Sequence, residues 1–145
     1  MCIRDRQEIA TLASTKARPG YDGVIGDSEL FRHDFARHEA LFRAAQAYVY
    51  EAYGDAEATA AAGETITDEQ RARMRQVATW AQEVAGDVVM FAHRWAGSGT
   101  VRNPSALGRC VRDAAVATQH ALVDRITLVE AAAAILPGYQ KSPSA

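Results

Sequence analysis

A chain of 145 residues that is 48% hydrophobic is long enough to bury one substantial core. Its 16 basic and 18 acidic side chains give a net charge of −2, which argues against a nucleic-acid-binding surface. No apolar run reaches the ~20 residues that span a bilayer, and no signal peptide is recognisable. The two cysteines, Cys2 and Cys110, form no CxxC pair, so we expect a cytoplasmic protein without a membrane partner, disulfide framework or zinc site.

Residues 1–26 are predicted to form an N-terminal helix and a loop. The first six residues, Met-Cys-Ile-Arg-Asp-Arg, resemble translated sequencing-adapter sequence. We therefore expect that Met1 is not a natural start and that the chain is the C-terminal piece of a longer protein. Residues 4–17 carry a short apolar stripe at helical spacing, formed by Ile9, Leu12 and Ala13. Arg18-Pro19-Gly20 should end this helix, and a loop should continue to Gly26.

A long helix is predicted over about 28–62. Asp27-Ser28 is a typical helix start and Gly63 a typical helix end. The helix carries an apolar stripe at Phe31, Phe35, Phe42, Ala45, Val49 and Ala52. His38 fills a gap in that stripe, so we expect a hydrogen-bonded histidine in a core or an interface.

The four residues His33, Asp34, His38 and Glu39 raise the hypothesis of a metal-binding bundle. Di-iron bundles need Glu-x-x-His pairs on two helices, and this sequence contains no such pair. A polar bundle edge is the better interpretation, and we predict no metal site. The metal hypothesis would require that elemental analysis finds iron or manganese in a stoichiometric amount.

Thr67 and Gln70 form a capping box that opens the next helix, which should run to about Trp95. Its apolar residues keep a heptad rhythm at Met74, Val77, Ala81, Val84, Val88, Phe91 and Trp95. Gly97-Ser98-Gly99 should then end the helix as a turn. This turn lacks the G-x-S-x-G pattern and the preceding strand of a serine nucleophile elbow, so we do not expect an esterase.

Asn103-Pro104 indicates the start of a further helical segment, with Asn as N-cap and Pro at the first helical position. Its predicted inner face comprises Leu107, Val111, Ala114, either Ala117 or Thr118, and Ala121. A last helix over about 122–136 should carry its apolar stripe on Leu122, Ile126, Val129, Ala133 and Leu136. The pattern leaves open whether 104–136 is one helix or is broken near 118–122.

The fold class predicted from these segments is all-α, an antiparallel bundle of about four long helices. The bundle domain should occupy 27–138, with Pro137-Gly138 ending the last helix. Residues 139–145 are predicted to be a disordered tail.

Several residues around the turn could form a site. Glycines allow close approach of a backbone to a phosphate, and a helix start nearby favours anions. Arg102, Arg109 and Arg112 could supply charge to a phosphate. Arg112 and Asp113 are adjacent and cannot face each other on one helix, so each needs a partner elsewhere. His120, near the possible helix break, could act as a general acid or base near neutral pH.

In this order and spacing, the features resemble the C-terminal domain of the acyl-CoA dehydrogenase superfamily over about 6–138. The resemblance is carried by two long helices, Trp95-Ala96-Gly97-Ser98, Asn103-Pro104, Arg109-x-x-Arg112-Asp113 and Gln119-His120. It implies a flavin site built partly by this domain, with Gly97, Ser98, Gly99, Arg109, Arg112 and Asp113 as cofactor-binding residues. The flavin would be FAD or FMN.

The branch of the family depends on one position. Fatty acyl-CoA dehydrogenases of the family place a catalytic Glu about eight residues after the Arg-Asp pair, and this sequence has Ala121 there. Gln119-His120 is more similar to the flavin-dependent monooxygenase branch, two-component enzymes that hydroxylate aromatic or heterocyclic substrates with O2 and reduced flavin supplied by a separate reductase. The resemblance makes His120 the catalytic residue, hydrogen-bonding the oxygen-activated flavin or handling a substrate hydroxyl proton.

The resemblance also implies an N-terminal helical domain and a middle β-domain, which this sequence lacks, and a homotetramer built through the bundles. We therefore expect the chain to be inactive alone. Two alternatives remain open. One is a dehydrogenase whose catalytic base lies elsewhere, and the other is a stand-alone helical oligomerisation module.

Overall fold

The computed structural model describes residues 2–102 and 104–140, which form five α-helices and no strand. The helices are α1 (Cys2–Ala13), α2 (Glu29–Ala61), α3 (Asp68–Ala96), α4 (Ala106–Ala117) and α5 (Ile126–Gln140). The prediction of an all-α fold is confirmed. Only α2 and α3, with 33 and 29 residues, are long, whereas the other three have 12, 12 and 15. None of the described helices is long and apolar enough to cross a bilayer.

The predicted C-terminal end of α2 and the predicted start of α3 are confirmed by their hydrogen bonds. Thr67 and Gln70 form a reciprocal capping box. The Gln70 backbone N–H donates to the Thr67 hydroxyl, and the Thr67 backbone N–H donates to the Gln70 side-chain oxygen Oε1. Gly63 has a φ of 76°, and the Glu64 N–H beyond it donates to Thr59 O at 3.1 Å. This is a Schellman closure, which needs a left-handed residue and therefore favours glycine.

Two helix boundaries differ from the prediction. α1 ends at Ala13, four residues early, where the Ser14 hydroxyl bonds back to Thr11 O and competes with the helical pattern. α4 begins at Ala106, not at Pro104. Its cap is Ser105, whose hydroxyl accepts from the Gly108 N–H at 3.1 Å. The predicted cap, Asn103, lies outside the described residues.

The structure breaks the last predicted segment into two helices. α4 ends at Ala117, a 3₁₀ turn follows at Ala121–Val123, and the Asp124 carboxylate caps α5 by accepting from the Ile126 N–H. The predicted end at Pro137-Gly138 is wrong, because α5 continues to Gln140. Pro137 removes one helical hydrogen bond close to the end, and the turn is kept. Residues 141–145 of the predicted tail lie outside the described residues.

The chain divides into two compact units. The first comprises Met1–Arg43 and Glu83–Ala117. Its core draws on α1, α2, α3 and α4 together, so the N-terminal helix is part of this core. The residues are Ile9, Ala13, Ile25, Phe31, Phe91, Ala92, Trp95, Ala96 and Leu107.

The second unit comprises Ala44–Gln82 and Thr118–Ala145. Small side chains dominate its buried positions, which include Ala45, Ala52, Ala56, Ala72, Val77 and Ala131. Two buried hydroxyls, Thr79 and Thr127, bond to each other across α3 and α5. The Thr127 hydroxyl donates its one proton to Asp124 O at 2.7 Å, so it accepts from the Thr79 hydroxyl, and both polar groups are satisfied.

The apolar stripe predicted to be the buried face of the last helix is exposed in the structure. Its large members are exposed: Leu122 62%, Ile126 55%, Val129 65% and Leu136 54%. Thr127 and Ala131 face the unit's interior instead. α5 has a single charged residue, Glu130, so it is apolar on nearly all sides and its periodicity does not select a face.

Candidate functional site

The glycine turn is a short 3₁₀ helix, Gly97–Val101, directly after α3. Gly97 has a φ of 72°, the left-handed conformation typical of the residue that ends a helix. The turn is held by Thr100, whose buried hydroxyl donates to Gly97 O at 2.8 Å and contacts His93 Nδ1. Because a hydroxyl has one proton to donate, this arrangement makes His93 Nδ1–H the donor to Thr100.

Gly108 brings this turn onto α4. A Cβ at position 108 would lie 2.2 Å from the backbone oxygen of Thr100, a distance that only a glycine permits. The turn and the first turns of α4 therefore form one rigid piece of the first unit. Sequence reasoning missed Gly108, Thr100 and His93, although a lone glycine inside a helix is a signal of close backbone approach.

The predicted polar residues of α4 are all exposed. Arg109 and Asp113 line a concavity of about 400 Å³ at the start of the helix. The rest of its lining is Arg4, Pro104, Ser105, Ala106 and Cys110. Within the described residues neither Arg109 nor Arg112 makes an ion pair, so both guanidinium groups are available to an anion. Asp113 likewise has no ion pair there, and the structure does not join Arg112 and Asp113 into a dyad.

Cys110, on the wall of this concavity, is a buried free thiol. Burial raises the pKa of Cys110 to about 11, and the nearby Asp5 carboxylate acts in the same direction. A thiol with so high a pKa is a poor nucleophile, because the thiolate is the reactive form. The buried Cys110 thiol contributes packing to this wall.

His120 belongs to the second unit and caps the 3₁₀ turn Ala121–Val123. Its Nδ1 accepts from the Leu122 N–H at 3.2 Å. An accepting Nδ1 places the proton of the neutral ring on Nε2, so the exposed edge of His120 is a hydrogen-bond donor. The predicted break in the helix is thus stabilised by the same side chain that is the candidate catalytic residue.

The polar cluster on α2 has a structural role in the first unit. The Trp95 indole N–H donates to Asp34 Oδ2 at 3.1 Å, and His33 Nδ1 contacts Asp34 Oδ1 at 3.1 Å. The hydrogen bond from His33, together with that from Trp95, holds the pKa of Asp34 below its ordinary value despite the effect of burial. His38 bonds to Asp34 O at 2.6 Å and stacks on Phe91 at 4.4 Å, as predicted for a hydrogen-bonded histidine. No three metal-ligating side chains converge anywhere in the described part of the chain.

Comparison with known proteins decides the family. The profile of the family described as "Acyl-CoA dehydrogenase, C-terminal domain" matches residues 6–125. The chain belongs to this family. As an acyl-CoA dehydrogenase C-terminal domain, it is expected to be helical throughout, which agrees with the five helices.

Two curated relatives are named indole-3-acetate monooxygenase. The protein from Pseudomonas putida is 33% identical over 137 residues, covering 91% of this chain and 35% of the relative. The protein from Acinetobacter baumannii is 31% identical over 121 residues, covering 80% of this chain and 31% of the relative. The chain therefore spans about a third of the length of the curated relatives it matches.

A solved structure shares the fold. It is "XiaF from Streptomyces sp. in complex with FADH2 and Glycerol", with a TM-score of 0.86 and 20% sequence identity. The match covers 99% of this chain and 37% of that one. At this level of identity the likeness shows the fold alone.

Proposed function

We propose that this chain is the C-terminal helical domain of a two-component flavin-dependent monooxygenase, which hydroxylates an aromatic or heterocyclic substrate with O2 and reduced flavin. The observation that carries the proposal is the family membership together with two indole-3-acetate monooxygenases among the relatives. Ala121 supports this branch, because that position offers no carboxylate to abstract a proton from an acyl-CoA. The cofactor would be FAD or FMN, and the XiaF structure that shares the fold is described as a complex with FADH2.

The described residues fit one wall of a flavin site. Arg109 and Arg112 present guanidinium groups without an acidic partner among the described residues, which suits them to the cofactor phosphates. The open backbone at Gly99, where an added Cβ would meet nothing within 4 Å, allows a flat group to approach the turn. When bound, reduced flavin would supply the electrons that activate O2.

His120 is the proposed catalytic residue. Its Nδ1 is occupied by the Leu122 N–H, so the ring is held in one tautomer with Nε2–H directed outward. Such a fixed donor is suited to hydrogen-bond an oxygen atom at the reacting centre or to receive and return a substrate proton. The complete enzyme would receive its reduced flavin from a separate flavin reductase. It would assemble as a homotetramer through the bundles.

The test is turnover by the longer protein that contains this segment. Purified with a flavin reductase, NADH and O2, it should convert indole-3-acetate or a related heterocycle to a hydroxylated product seen by mass spectrometry. Oxidation of an acyl-CoA instead would establish the dehydrogenase alternative. A natural transcript beginning at Met1, with no flavin bound in the presence of any partner, would establish the stand-alone module.

His120 can be tested separately from the fold. His120→Asn keeps an acceptor for the Leu122 N–H but removes the outward N–H of the ring. We expect flavin binding to be retained in both His120→Asn and His120→Ala, with product yield falling and hydrogen peroxide rising. His33→Ala, a change at another exposed histidine, is the control and should leave the product-to-peroxide ratio unchanged. An unchanged ratio in His120→Asn would refute the assignment.

A further inference from the structure

Two buried hydroxyls of the second unit lie next to the turn that carries His120. Thr79, on α3, is 1% exposed, and Thr127, on α5, is 0% exposed. Among the described residues of this unit they are the only buried polar side chains, and its other buried positions hold alanine or valine. Because a buried hydroxyl costs free energy unless it is hydrogen-bonded, the pair calls for a role beyond filling space.

The hydrogen bonds of the pair run in one direction, from α3 toward the turn. The Thr127 hydroxyl donates to Asp124 O at 2.7 Å. Since a hydroxyl carries one proton, Thr127 accepts from Thr79, although Arg75 O also lies 3.2 Å from the Thr79 oxygen. The Thr127 backbone N–H donates to Asp124 O as well, at 2.9 Å. Asp124 O is thus tied to α3 through two successive side-chain hydrogen bonds.

The segment from His120 to Asp124 is one short turn, so the position of Asp124 sets the position of the histidine. The Val123 N–H donates to His120 O at 2.9 Å, and the Leu122 N–H donates to His120 Nδ1 at 3.2 Å. The Asp124 carboxylate closes the other side by accepting from the Ile126 N–H at 2.9 Å. The exposed imidazole is therefore held by backbone groups of a turn that is itself anchored at Asp124.

The pair also sets the rotation of α5 about its axis. α5 has one charged residue, and large apolar side chains lie on its exposed side, so hydrophobic burial alone does not select a face. The Thr127 hydroxyl accepts a hydrogen bond only when it faces Thr79. A single buried polar contact can fix the register of otherwise apolar helices in this way.

We propose that Thr79 is a positioning residue for the reaction. By donating to Thr127, it holds Asp124 O and with it the turn that keeps the His120 Nε2–H directed outward. The inference rests on the proposed function, because the reaction at His120 belongs to that proposal. Thr79 acts through the turn and not on the imidazole itself.

Nuclear magnetic resonance of the 145-residue chain tests the positioning without flavin. Thr79→Val keeps a branched side chain and removes the hydroxyl, whereas Thr79→Ser keeps the hydroxyl. In the wild type and in Thr79→Ser, the ring nitrogens of neutral His120 should show one tautomer, with the proton on Nε2. In Thr79→Val we expect a mixture of tautomers. We also expect exchange of the Thr127 amide hydrogen to be faster by about tenfold, because a buried hydrogen bond beside it is lost.

Thr59→Val is the matched control. The Thr59 hydroxyl also joins two helices of the second unit, since it lies 3.2 Å from Asp55 O of α2 and accepts from the Gln70 side chain of α3 at 2.7 Å. This contact does not include the His120 turn, so the tautomer of His120 should match the wild type. Far-ultraviolet circular dichroism establishes that each variant keeps its helices. Thr79→Ala, which also lacks the hydroxyl, takes the place of Thr79→Val if the valine does not fit.

The longer protein supplies the second readout. Thr79→Val should raise hydrogen peroxide at the expense of product, as expected for His120→Asn, and Thr79→Ser should restore the wild-type ratio. Three outcomes would overturn the proposal: an unchanged His120 tautomer in folded Thr79→Val, an unchanged product-to-peroxide ratio in that variant, or a Thr59→Val variant with the same changes. A wild-type enzyme that forms no hydroxylated product would instead count against the monooxygenase assignment, which the resonance measurement does not require.

Discussion

Gly108→Ala is expected to destabilise the piece formed by the Gly97–Val101 turn and α4. The new Cβ would lie 2.2 Å from Thr100 O, and contacts under 3.0 Å are essentially never seen, so the carbonyl must retreat by about 0.8 Å. Because the atom met is a backbone oxygen, which cannot rotate away, the overpacking cost lies in the upper part of its usual range, about 2–3 kcal/mol, whereas replacing glycine by alanine in a helix gains about 1 kcal/mol. The net expectation is a loss of about 1–2 kcal/mol.

Gly86→Ala separates the steric effect from helix propensity. Gly86 also lies inside a helix, α3, but an added Cβ there meets nothing within 4 Å. We expect this variant to be more stable than the wild type by about 0.5–1 kcal/mol, because alanine restricts the unfolded chain. In urea unfolding followed by circular dichroism at 222 nm, the midpoint of Gly108→Ala should therefore fall below that of the wild type, and the midpoint of Gly86→Ala should rise above it.

Thermal unfolding gives a second measure of the same contrast. For a chain of this size, 1–2 kcal/mol corresponds to a fall in Tm of about 3–8 °C for Gly108→Ala. If Gly108→Ala is as stable as Gly86→Ala, the close approach between Thr100 and α4 is not a constraint on folding. The view of the turn and α4 as one rigid piece would then be wrong.

Three further predictions concern the first unit. Gly97→Ala should lower stability by about 1–2 kcal/mol because of its left-handed φ, whereas Gly99→Ala, with open space around it, should be near neutral in the same urea assay. Because the pKa of Asp34 is lowered from 3.8, its stabilising effect is present above that pH and is lost as the pH falls through the lower folded value. Asp34→Asn should therefore reduce acid destabilisation below about pH 4, measured by tryptophan fluorescence, and an unchanged acid profile would contradict this. Cys110 should resist alkylation by iodoacetamide at pH 8 in the folded chain and react once urea is added. Peptide mapping measures the labelling, and rapid labelling of the folded chain would count against the burial of Cys110.

Local sequence signals determined where α2 and α3 begin and end. The Thr67–Gln70 capping box and the glycine at position 63 act through hydrogen bonds within a few residues, so they can be recognised in the sequence without knowledge of the fold. The apolar rhythm of α3 likewise selected a buried face, because polar residues occupy its other sides. The family resemblance followed from the order of short motifs along the chain, and the profile match over 6–125 agrees with it.

Only the tertiary structure decided which side of α5 is buried. An almost uncharged helix has no polar face to mark the outside, and Thr127 turns inward because the Thr79 hydroxyl meets it there. Gly108 and Thr100 are eight residues apart, and their contact depends on how the 3₁₀ turn folds back on α4. No local sequence pattern encodes such contacts between separate segments. The sequence therefore identified the turn and the histidine as candidates, and the structure showed that Thr100 and Gly108 position the turn and that His120 caps the Ala121–Val123 turn.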